Sequence, residues 1–149
     1  MKLTSPAFGD GPPIPARYTC DGENVSPELR WSDVPDDTSS LALTCEDPDA
    51  PRGTFTHWVI WNLDPTEGGI PAGDVPKGAR QGRNDFGHVG YGGPCPPIGN
   101  HRYFFKLYAL DTVLPDLKRP TKAKLEEAMR GHIIATAELI GLYQKQHQH

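Results

Sequence analysis

No stretch of this chain stays apolar for the roughly 18 residues a membrane-crossing helix requires. The N-terminal Met-Lys-Leu-Thr-Ser-Pro lacks the apolar core of an export signal. Both absences exclude membrane insertion and place the chain in the cytoplasm at this level of reading. Basic runs are missing too. Fifteen Lys and Arg are scattered among nineteen Asp and Glu, for a formal net charge of −4. Nucleic-acid binding draws on a concentrated basic surface, so no nucleic-acid partner is expected. An anion site here must work with local donors against an unhelpful overall field. Cysteine is scarce, with Cys20, Cys45 and Cys95 only. An odd count without CxxC spacing predicts free thiols and no zinc site. A Cys20–Cys95 bridge is the alternative in an oxidising setting. There is no His-x-x-x-His pair and no Gly-x-Ser-x-Gly elbow, so neither a metal nor a cofactor is expected.

Glycine and proline, by contrast, each occur sixteen times among 149 residues. Both interrupt helices and mark turns. With 36% hydrophobic and 23% charged residues, the chain is long enough and apolar enough for one folded domain spanning 1–149. Residues 40–46 (Ser-Leu-Ala-Leu-Thr-Cys-Glu) alternate apolar with small or polar side chains. Residues 56–63 (Thr-His-Trp-Val-Ile-Trp-Asn-Leu) are apolar on both faces, as a central strand would be. Residues 102–110 (Arg-Tyr-Phe-Phe-Lys-Leu-Tyr-Ala-Leu) are rich in aromatics. All three read as strands. One helix is expected after Thr121 as cap, with Glu126 and Glu127 inside and Gly131 as the stop. Residues 133–143 fit a helical stripe or a last strand, and the β-branched content favours the strand. The Gly- and Pro-rich opening, from Phe8, should be irregular. Residues 64–100 show little periodicity and read as a functional loop with a short strand inside. The polar tail, with His147 and His149, reads as a solvated end. Strands joined by turn-rich connections, with one late helix, predict a mainly β protein, an antiparallel sheet or sandwich with a peripheral helix.

Three segments carry candidate chemistry. Asp47-Pro48-Asp49-Ala50-Pro51 follows the first strand, and its prolines hold two carboxylates in a stiff segment. A stiff site loses less entropy on binding; the bland reading is a turn with solvated acids. Thr56-His57-Trp58 opens the central strand, where alternation puts His57 on the face of Val59 and Trp61. A lone histidine on such a face is more often a core residue than a ligand contact. Gly92-Gly93-Pro94-Cys95-Pro96-Pro97-Ile98-Gly99-Asn100-His101-Arg102-Tyr103 is the most specific segment. Its glycines allow close backbone approach, its prolines shape a wall, and His101 and Tyr103 share one strand face. Arg102, on the other face, reads as a buried partner for a carboxylate. Histidine and tyrosine donate hydrogen bonds to phosphate or carboxylate, and Asp47 or Asp49 can keep one histidine charged and oriented. Cys95 is the one candidate nucleophile.

These residues resemble the phosphatidylethanolamine-binding protein (Raf kinase inhibitor-like) family. The resemblance rests on Asp47-Pro48-Asp49-Ala50-Pro51, His57-Trp58, Pro96-Pro97, Gly99 and His101-Arg102-Tyr103, and covers nearly the whole chain. Cys20-Asp21-Gly22-Glu23-Asn24-Val25-Ser26-Pro27, with residues 131–143, looks like its compact prokaryotic branch. The resemblance implies a β-sandwich-like fold with a large central antiparallel sheet and one or two peripheral helices. It implies an anion pocket at one sheet end, carried by Asp47, Asp49, His57, Pro96, Pro97, His101 and Tyr103. It further implies phosphate-bearing headgroups or simple anions as ligands, kinase or protease inhibition as in eukaryotic members, and a homodimer as in many prokaryotic ones. The segments 51–57 and 97–101 are shorter than in animal members and little chain follows Tyr143, so a more open pocket is expected. The leading function is therefore non-catalytic binding of a small anionic or phosphorylated ligand, with a kinase or protease as a protein partner. The alternative is a hydrolase using the Asp/His cluster.

Overall fold

The computed structural model describes residues 1–9 and 13–144. Its fold is built on four long strands. In chain order, β1 is Lys2–Thr4, β2 Leu29–Ser32, β3 Ser40–Asp47, β4 Phe55–Leu63, β5 Gly69–Ile70, β6 Arg80–Gln81, β7 Asn100–Leu110 and β8 Ile133–Gln144, with α1 at Lys122–Met129 between the last two strands. β6, β4, β3, β7 and β8 form one antiparallel sheet in that order; β1, β2 and β5 form a small second one.

A strand apolar on both faces needs a cover on each side, and β3 has both. Leu41, Leu43 and Cys45 point into the main core, with Trp58, Ile60, Phe105 and Leu107 beside them and Leu29, Trp31 and Ile70 of the small sheet opposite. Ala42 points the other way, with Val59 and Trp61, and Leu125 and Met129 of α1 close that face. The outcome is a mainly β sandwich with one α-helix among the described residues, as the strand pattern and the resemblance predict.

The helix starts and stops where its end residues dictate. The Thr121 hydroxyl accepts the Lys124 N–H at 3.4 Å, and Gly131 leaves at φ 81°. Residues 133–143 lie in β8, which pairs with β7 from Asn100↔Gln144 to Leu110↔Ile133. The loop of residues 64–100 holds two two-residue strands, β5 and β6, and an isolated Arg83–Val89 bridge.

The free-thiol expectation fails for two of the three cysteines. Cys20 and Cys95 form a disulfide across 75 residues of sequence, with Cα atoms 5.4 Å apart; only the buried Cys45 stays free. The segments were brought together before the sulfurs are considered. Cys20 N–H donates to the Pro94 carbonyl at 3.1 Å, and Gly93 N–H donates to Asn24 Oδ1 at 2.9 Å. A Cβ on Gly93 would lie 2.4 Å from the Tyr18 carbonyl oxygen, so only glycine admits this approach. Cysteine counting cannot register such tertiary proximity. Among the described residues no helix is long and apolar enough to cross a membrane. Residues 10–12 of the irregular opening, and 145–149 with His147 and His149, lie outside the described residues.

Candidate ligand-binding pocket

The ends of β3, β4 and β7 meet at a cavity of about 270 Å³. Asp47, His57, His101 and Tyr103 line it from the strands, Ala50, Pro51, Arg52 and Gly53 from the turn after β3, and Cys95, Pro96 and Pro97 from the loop before β7. Phe55 and Phe86 complete the walls. Six of the seven residues singled out from sequence are thus brought together. Asp49 is not. It sits beside the cavity, gripped by Arg102 through Nε, a guanidinium nitrogen and the backbone N–H, each at 2.9 Å. That grip holds the Asp49 carboxyl down at about 2. Arg102 is therefore the carboxylate partner foreseen, but on the surface rather than buried, its side chain half exposed.

His57 reaches the pocket for a reason periodicity misses. Cys45 pairs with Trp58 and Glu46 with Thr56, leaving His57 as the extra residue of a β-bulge. Strict alternation would aim it with Val59 and Trp61 at α1. The bulge instead sets its ring edge-on to Tyr103, centroids 5.2 Å apart, with Phe55 and Phe86 at 4.9 and 5.4 Å. Phe86 comes from the long loop, whose turn is organised by buried Asn84. Its Oδ1 accepts the N–H groups of Phe86 and His88, and its Nδ2 donates to the Gly90 carbonyl at 2.9 Å.

The two histidines differ in partners. His57 Nδ1–H donates to the Gly92 carbonyl at 2.7 Å. Burial pushes its pKa below the ordinary histidine value, against the opposing pull of that carbonyl and of Asp47 and Asp85, so the ring is neutral at neutral pH. His101 lies between two oxygens, the Asp47 carboxylate 2.6 Å from Nδ1 and the Ile98 carbonyl 3.0 Å from Nε2. Both bonds are made only when both nitrogens carry a proton. Asp47 also accepts the Asp49 N–H at 2.8 Å, so its carboxylate is fixed from two sides. The Tyr103 hydroxyl is buried beside the Asp47 carboxylate, outside good hydrogen-bond geometry; burial pushes its pKa up, and Asp47 pushes it the same way through its charge and a side-chain interaction.

Sequence reasoning missed Arg52, Phe55 and Phe86. Phe55 lies two residues from His57 and was within reach of a strand-face argument, but Phe86 depends on the Asn84 turn and had no local signal. Cys95, the one candidate nucleophile in the sequence, has its sulfur bonded to Cys20.

The comparisons agree with the geometry. A protein of Methanothermobacter thermautotrophicus is 54% identical over 150 residues, covering 97% of this chain and 99% of its own length. One from Chlamydia trachomatis is 50% identical over the same span and coverage. The crystal structure of a C. trachomatis phosphatidylethanolamine-binding protein homolog superposes with a TM-score of 0.94 at 49% identity, covering 97% of both chains. E. coli YbcL, described as a member of the mammalian family, gives 0.90 at 37% identity over 97% of this chain and 98% of its own. The family profile for phosphatidylethanolamine-binding proteins matches residues 4–144. The chain belongs to the phosphatidylethanolamine-binding protein family, within its prokaryotic branch.

Proposed function

We propose that the chain is a non-catalytic binding protein whose pocket takes a small anion, a phosphate-bearing group above all. One observation carries the reading. Asp47, His57, His101 and Tyr103, from three strands, line one cavity together with Arg52, and among the described residues Arg52 has no hydrogen bond or ion pair. The hydrolase alternative, which rests on the Asp/His cluster, cannot draw on Cys95, whose sulfur is bonded to Cys20. The cytoplasmic placement read from the N-terminus stands against the Cys20–Cys95 bridge, which oxidising surroundings favour.

The test is a histidine-resolved NMR titration with inorganic phosphate and O-phosphoethanolamine. Saturable shifts of His57 and His101, lost in Tyr103→Phe and Asp47→Ala, are expected. Silence of both rings at millimolar ligand would overturn the anion reading.

A further inference from the structure

The donors in and beside the pocket are mostly committed. The charge of Arg102 is spent on Asp49, and His101 is held between Asp47 and the Ile98 carbonyl. Elsewhere, Arg17, Arg30 and Arg80 each face a carboxylate, and Arg83, Arg119 and Arg130, which have no ion pair among the described residues, do not line this cavity. Arg52 differs. It lines the cavity from the exposed rim, and among the described residues it takes part in no hydrogen bond or ion pair.

Its backbone is not free to wander. Gly53 N–H donates to the Ala50 carbonyl at 3.2 Å, closing a turn with Pro51 and Arg52 at its corners. Proline at the second position of such a turn presets its φ. The guanidinium is therefore carried on a preformed corner, and binding through it loses less conformational entropy than binding through a mobile loop. Around it the walls are apolar: Phe55 and Phe86 pack edge to face at 4.7 Å, with Pro51 and Pro97 beside them.

We infer that Arg52 is the specificity-determining anion contact of this pocket, and that its ligand is an organic anion bearing a small apolar or aromatic group rather than a bare inorganic ion. The inference rests on the anion-pocket reading above and sharpens it. The guanidinium fork takes two oxygens of one phosphate or carboxylate, while the Phe55–Phe86 pair and the prolines take the hydrocarbon. A ligand without the apolar group leaves those walls wet; one without the acid leaves Arg52 unpaired.

Calorimetric titration of the whole chain with phenyl phosphate and with inorganic phosphate tests both halves. Wild type should bind phenyl phosphate at least tenfold more tightly than inorganic phosphate. Arg52→Gln should weaken both by tenfold or more with an unchanged melting temperature, since the side chain it replaces is exposed and unpaired, and Arg52→Lys should recover part of the loss. Phe86→Ala should erase the preference for phenyl phosphate while inorganic phosphate still binds. If wild type binds both probes and Arg52→Gln stays within twofold, the role of Arg52 is wrong although the pocket reading survives. Equal wild-type affinities for the two probes sink the organic-ligand half. Binding of neither probe by wild type overturns the pocket reading and this inference together.

Discussion

Glu46 and Asp47 are neighbours on β3, both buried, and they point to opposite faces of the same sheet. On the helix side, each Glu46 oxygen has its own lysine, Lys106 from β7 and Lys122 from α1. Burial alone would raise the Glu46 carboxyl, but the two lysines outweigh it and hold it below its ordinary value. On the pocket side, Asp47 has His101, yet the Tyr103 phenol next to it makes no hydrogen bond of good geometry. The contrast separates a finished polar cluster from an unfinished one. The first fastens α1 and β7 to the sheet and offers nothing to a ligand. The second keeps a donor in reserve beside a cavity, and buried networks carry a cost wherever they stay incomplete.

The comparison breaks first at Glu46. Glu46→Ala leaves Lys106 without its carboxylate and Lys122 with Glu126 only, and should lower stability by about 1–2 kcal/mol, with ligand affinity unchanged. Urea unfolding checks this, and a loss below about 0.5 kcal/mol would mean the cluster is not a brace. Tyr103→Phe should behave in the opposite way. Removing an unsatisfied hydroxyl should leave stability unchanged or raise it by up to about 1 kcal/mol, while phosphate affinity falls about tenfold. A marked loss of stability would show that the hydroxyl already has a partner. The smallest effect concerns His57. Its folded pKa is depressed by burial, whereas an unfolded histidine takes up a proton near about pH 6.5. As pH falls below that value, the unfolded chain binds a proton the folded ring refuses, so stability declines; above it this residue contributes no slope. Unfolding free energies at pH 7.5, 6.5 and 5.5 should therefore slope less in His57→Gln than in wild type, and identical slopes would contradict a neutral buried ring.

Much of the fold was legible because its long strands carry their own composition. The runs at 40–46, 56–63 and 102–110 differ from β3, β4 and β7 by only one or two residues. The second sheet was not legible. Its strands are two to four residues long, shorter than any window in which alternation can be distinguished from chance. At the site, the Asp47, His101 and Tyr103 set could be read from adjacent motifs, since proline and strand parity act locally. That Asp49 stands beside the cavity rather than in its lining is not legible locally, because its place depends on Arg102, fifty-three residues away. His57 was put on the wrong face because one bulge reverses parity for everything before it. Arg52 was passed over because nothing in a Pro-Arg-Gly corner says which way the side chain leans.

The Cys20–Cys95 bond divides the chain into a covalent ring and two tails, the first of which carries β1. Residues 20–95, with β2 to β6, are inside the ring; β7, α1 and β8 trail from it and complete the sheet against β3. A single peptide-bond cut anywhere within the ring releases nothing. The nicked chain migrates as one species on a non-reducing gel and separates into two fragments only after the bridge is reduced, so intactness judged without reductant says nothing about whether the pocket's long loop has been cleaved.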